Sequence, residues 1–67
     1  MSATVAKVNE AIRALGGKER LRRGRGYHYW TGGEAAGWPQ SGTYVYRVDA
    51  LTVEEWVRDW REKGGRP

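Results

Sequence analysis

Nothing covalent can staple this chain. Its 67 residues include no cysteine, and its one histidine stands among scattered carboxylates, so disulfides and thiolate metal sites are excluded, a zinc cluster is not expected, and no cofactor is implied. The fold must hold by packing alone. A chain this short forms one domain, spanning 1–67, that buries only about 60% of its unfolded surface. Help from a second subunit, as in a homodimer, is therefore expected. The opening M-S-A-T-V-A-K lacks the apolar run of a signal peptide, and no stretch approaches the roughly 20 apolar residues of a membrane span. The expectation is a soluble, cytoplasmic protein with no membrane partner.

Both ends read as helices. Leu51-Thr52-Val53-Glu54-Glu55-Trp56 is a helix start, with Thr52 as N-cap, Glu55 completing a capping box and Leu51 positioned to staple onto Trp56. Val53, Trp56, Val57 and Trp60 then recur at helical spacing and predict one buried face. Glu54 and Glu55 open the helix, Arg58, Arg61 and Lys63 close it, and Gly64-Gly65 ends it. Glu54 to Arg58 and Asp59 to Lys63 are spaced as ion pairs on a solvated surface. At the other end Val5, Val8, Ile12 and Leu15 recur likewise, with Thr4 as cap and Gly16-Gly17 as stop.

Between them the period changes. Tyr, Val and Trp in short runs punctuated by glycine predict strands over about 20–31 and 43–48. The expected class is α+β: a small two-layer domain of order αββα, an antiparallel hairpin packed on two helices, with room for a third short strand. Alternate strand residues face opposite ways. In the second strand Tyr44, Tyr46 and Val48 are expected on the core side, and Thr43, Val45 and Arg47 on the other. In the first, one parity holds Tyr27 and Tyr29, and the other holds Arg22, His28 and Trp30, with Gly24 and Gly26 placed to bulge and reset the phase. The weighted assignment leaves Arg22, His28, Trp30 and Arg47 on an open sheet face. The connection 31–42 is long for a hairpin and expected to be functional or mobile, with Trp38 tucked onto the sheet edge.

The net charge of +4 resides in Lys18 to Arg25, where five cations meet the lone Glu19; elsewhere seven basic groups balance seven acidic ones. A positive stripe running into Tyr27-His28-Tyr29-Trp30 suits a partner made of phosphates and stackable bases. The expected function is that of a small nucleic-acid-binding or regulatory accessory protein acting on RNA or DNA. Lys18, Arg20, Arg22, Arg23, Arg25 and Arg47 would meet phosphates, and Trp30 and His28 would stack or hydrogen-bond on bases. Gly24-Arg25-Gly26 lacks the ending of a P-loop and opens no helix, which closes that route to nucleotide binding. A protein-interaction or dimerisation module using the aromatic face is the alternative. A basic edge strand guarding against aggregation also accounts for the charge, whereas an anionic membrane surface is disfavoured because the aromatics do not lie on an amphipathic helix. One histidine and no cysteine leave no nucleophile and base that spacing can pair, so no catalytic residue is assigned.

Two resemblances bear on this reading. A helix, a basic strand leading into Gly26-Tyr27-His28, a second strand and a closing helix resemble the HicA-type toxins, double-stranded-RNA-binding-like domains that degrade mRNA. That family has G-S-H after its basic strand; here Tyr27 replaces the serine. The resemblance implies a ribonuclease alternative in which His28 is the base. The runs G-Y-H-Y-W (26–30), W-P-Q-S-G-T-Y-V-Y-R-V (38–48) and L-T-V-E-E-W (51–56) resemble short bacterial and phage proteins with a G-Y-aromatic-Y-aromatic strand, a V-Y-V-Y-R-L strand and L-T-x-E-x-W. This resemblance supports the strand and helix assignments and implies no activity. An aromatic residue often occupies the position of His28 there, which counts against an essential base.

Overall fold

The computed structural model describes residues 2–67. The chain forms helix α1 (Val5–Ala14), strand β1 (Arg20–Arg23), strand β2 (His28–Thr31), a 3-10 turn at Ala35–Gly37, strand β3 (Gly42–Thr43), a second 3-10 turn at Val48–Ala50 and helix α2 (Val53–Lys63). The α+β class, with a helix at each end, is as expected, and the sheet is an antiparallel β1-β2-β3 meander.

The strands between the helices differ from the expected pair. Residues 20–31 are a hairpin, with Arg20 opposite Thr31, Leu21 opposite Trp30, Arg22 opposite Tyr29 and Arg23 opposite His28. Its reversal lies at Gly24–Tyr27, where the Gly24 N–H donates to the Tyr27 carbonyl at 2.7 Å. Gly26 there has φ +81°, a left-handed backbone open to glycine without the clash a Cβ would bring. The glycines expected to bulge a strand instead turn it round. The expected strand 43–48 contracts to Gly42–Thr43, paired with Tyr29 and His28. Beyond Thr43 the chain folds on itself, since the Val45 N–H donates back to the Thr43 carbonyl at 2.9 Å.

Both helices start as their sequences predict. Thr4 Oγ1 accepts from the Lys7 N–H at 3.1 Å. Thr52 and Glu55 form the full capping box, with the Glu55 N–H on Thr52 Oγ1 at 3.0 Å and the Thr52 N–H on Glu55 Oε1 at 2.9 Å. Val8 and Ile12 of α1, Leu21 and Trp30 of the sheet and Trp56 and Trp60 of α2 share one core, joined by Ala3 and Ala35. The helices therefore cover one sheet face. No described helix is long and apolar enough to cross a membrane.

The outer edge of β1 is closed by α1. Asn9 donates its Nδ2 to the Leu21 carbonyl at 3.1 Å and accepts the Leu21 N–H on Oδ1 at 2.6 Å. One side-chain amide thus supplies the donor and acceptor that a neighbouring strand would present. Asn9→Ala is expected to lower the unfolding free energy by about 1–3 kcal/mol in urea denaturation, the range for orphaned, partly buried polar groups. The variant should also scatter light at concentrations where the wild type does not.

Candidate nucleic-acid interface

Hairpin register decides which side chains share a face. Leu21, Trp30, Arg23 and His28 stand on the helix side, and Arg20, Arg22, Tyr29 and Thr31 on the open side. Arg22 lies on the open side as expected, whereas the parity of the second arm is the reverse of the expected one. Trp30 is 2% exposed and His28 1% exposed, so neither offers a ring to a ligand on the open face. Trp30 packs edge-on against Trp56, with ring centroids 6.3 Å apart, and its Nε1–H donates to Asp59 Oδ2 at 2.9 Å. His28 lies 5.5 Å from Trp56, and its Nδ1 meets the Val45 carbonyl at 3.0 Å. The phase differs because the turn at 24–27 makes two strands of the expected one, and only the registered hairpin sets a face.

The open face is instead tyrosine-lined. Tyr27 lies 5.8 Å from Tyr29 and 6.2 Å from Tyr44 between ring centroids. One glycine admits this cluster: a Cβ at Gly24 would approach Tyr27 Cζ to 2.6 Å. Tyr44 and Tyr46, expected in the core, are 85% and 69% exposed. Val48 packs against the core as expected, and Val45 does so in place of the tyrosines, as the chain after Thr43 has left the sheet.

The basic run divides in three. Arg22 faces outward opposite Tyr29, and Lys18 and Arg25 are exposed in the flanking turns. Arg20 is held back, its Nη1 donating to the Gly17 and Glu19 carbonyls at 3.0 and 2.6 Å. Arg23 points to the helix side and lines a groove with His28, Tyr46 and Arg47. Arg47 was expected beside Arg22. It lies instead in the irregular segment after β3, paired with Asp49 through Nε–Oδ1 at 3.0 Å and Nη2–Oδ2 at 3.2 Å.

Glu19, the lone acid of the run, turns inward and is 4% exposed. Its Oε1 accepts from Trp60 Nε1–H at 2.9 Å and its Oε2 from the Glu34 N–H at 2.8 Å. Burial works against its ionisation, but the N–H of Glu34 and the indole of Trp60 outweigh it and hold the carboxyl below its ordinary value of 4.5. The basic surface is thereby left without an acidic neighbour from its own strand. The same bond anchors the connection 31–42, which carries the Ala35–Gly37 turn and buries Ala35. Trp38 is half-buried and packs over Gly64 at the end of α2.

The helix α2 charges are only partly a solvated surface. Asp59 accepts from Trp30 and Thr43 and pairs with Lys63, which also donates to Thr43 Oγ1 at 2.7 Å. This cluster is largely covered and ties α2 to β2 and β3. Glu54 and Arg58 form no ion pair among the described residues. No described group of His, Cys, Asp and Glu could hold a metal ion.

Sequence reading did not single out Tyr27, Tyr29 and Tyr44 as one exposed cluster, nor Glu19 and Asp59 as indole acceptors. An acid alone in a basic run was the available signal for Glu19. No protein-family model, curated protein or solved structure matches this chain.

A carboxyl whose folded-state pKa is lowered adds stability above its unfolded value and loses it as pH falls. Glu19→Gln is expected to cost about 1–3 kcal/mol at neutral pH, because the amide cannot accept from both donors. The deficit relative to wild type should shrink as pH falls through 4.5 and below, as read from urea midpoints across the acid range.

Proposed function

We propose that the sheet face turned away from the helices binds single-stranded nucleic acid, with the tyrosines stacking on bases and the free cations on phosphates. The observation that carries this reading is the outward-facing cluster of Tyr27, Tyr29 and Tyr44 beside Arg22. The side chains of Lys18, Arg22 and Arg25 make no hydrogen bond or ion pair among the described residues and are open to phosphate. Every base has a π-face, so such a platform tolerates sequence, while affinity comes from counterion release. Trp30 and His28, buried on the other side, take no part at this face.

A second reading rests on the same exposed rings. A tyrosine-rich face on so small a domain also suits a protein partner or a second copy in a homodimer. Salt separates the two, since burial of apolar area depends little on it.

Titration of fluorescent single-stranded RNA and DNA at several salt concentrations tests both. If Lys18, Arg22 and Arg25 each engage one phosphate, the slope of log K against log salt is about −2 on a single strand. Arg22→Ala with Arg25→Ala should reduce it to roughly −0.7. Tyr44→Ala should weaken binding by about 1–3 kcal/mol if a base stacks there, with the thermal midpoint unchanged because the ring is mostly exposed. Salt-independent binding, or none at low salt, would overturn the proposal. RNA should stay intact in the same tubes; decay abolished by His28→Ala would support the ribonuclease alternative instead.

A further inference from the structure

The groove on the helix side of the hairpin, about 440 Å³ in volume, is lined by Thr4, Val5, Arg23, His28, Tyr46 and Arg47 among others. We propose that it binds a phosphate monoester, the group carried by a mononucleotide or by the 5′ end of a strand.

Two kinds of donor and one ring nitrogen converge there. The β1–β2 register places Arg23 directly opposite His28 on the same sheet face, and Arg23 has no hydrogen bond or ion pair among the described residues. The N-terminus of the ten-residue helix α1 opens onto the groove with no acidic side chain in its first turn. Its Val5 N–H has no acceptor within the helix, and the macrodipole favours an anion there. The third group is His28. Its Nδ1 faces the Val45 carbonyl at 3.0 Å, and a carbonyl only accepts, so Nδ1 carries the proton.

Nε2 is left without a protein partner, although the residue is 1% exposed. No buried side-chain nitrogen or oxygen among the described residues lacks a partner, so the ring's residual exposure lies at Nε2. The groove is the opening that His28 lines. A nearly buried ring thus presents one unsatisfied nitrogen to a cationic recess. Nε2 can accept from the O–H of a monoprotonated phosphate, and no covalent bond changes.

Asp49 opposes this arrangement. It lines the same groove and engages Arg47 in a forked pair, so the ligand must compete with it for that guanidinium. Tyr46, 69% exposed at the rim, offers a face to a base or sugar attached to the phosphate. The groove volume falls within the roughly 300–1,000 Å³ of small-molecule sites.

Inorganic phosphate is the first probe, so this proposal does not depend on strand binding by the tyrosine face. NMR of the His28 ring should show saturable shifts with millimolar phosphate that chloride at equal ionic strength does not reproduce. Arg23→Ala, which removes an exposed side chain with no bond to break, should weaken that binding about tenfold. Asp49→Asn should tighten it by freeing Arg47. A nucleoside monophosphate should bind more tightly than inorganic phosphate and lose the advantage in Tyr46→Ala. Shifts from a 5′-phosphorylated oligonucleotide, absent with its 5′-hydroxyl counterpart, would assign the site to strand ends; shifts from the mononucleotide alone would assign it to free nucleotides. Ring signals unmoved by phosphate, or moved equally in Arg23→Ala, would overturn the proposal.

Discussion

The bond between Trp60 and Glu19 is the constraint on which the rest of the molecule depends. It joins residues 41 positions apart and does so inside the core, where an unpartnered indole N–H or carboxylate would be costly. The indole lies between two glycines: a Cβ at Gly17 would stand 2.5 Å from its Cζ2, and one at Gly65 would meet the ring as well. The end of α1, the start of β1 and the end of α2 therefore close on one side chain. Through its second oxygen Glu19 also holds the Glu34 N–H, which anchors the long connection. A domain with no disulfide thus obtains a cross-link from hydrogen bonds buried within apolar packing.

Two other indoles follow the same rule. Trp30 donates to Asp59 and Trp56 to the Val48 carbonyl, at 2.9 and 2.7 Å. Large aromatics supply most of the apolar area available to so small a chain, and each brings an N–H that must be satisfied. Meeting that requirement draws Asp59 and Glu19 out of solvent. Lys63 follows Asp59, neutralising a carboxylate that would otherwise lie largely covered and unpaired. The polar network is a consequence of building the core from tryptophan.

The same economy leaves the sheet with two unlike faces. The helix side takes Leu21, Trp30 and His28, and the open side keeps arginine and tyrosine. Asn9 seals one edge, and the other ends in a two-residue strand, so neither edge offers a long template for pairing. What the molecule presents is a face and a groove, lying on opposite sides of the hairpin. The basic run that is continuous in sequence is thereby divided between them, with Arg22 on one side and Arg23 on the other.

The sequence by itself determined the helices and the class of the fold. Caps and 3.6-residue periodicity are local properties, and Thr4, Thr52 and Glu55 act within three residues of their own positions. It also determined that the charge excess lies in Lys18–Arg25 and that packing must hold the chain. Strand parity was beyond it, because a one-residue change of phase moves every side chain to the other face. The alternating aromatics of Tyr27 to Trp30 suit either orientation. The choice fell to the hairpin turn at Gly24–Tyr27 and to the acceptors waiting on α2, since Asp59 can satisfy Trp30 only on the helix side. Tertiary structure alone decided that tyrosine, and not tryptophan and histidine, faces outward, for a buried indole N–H needs a partner that sits far away in sequence.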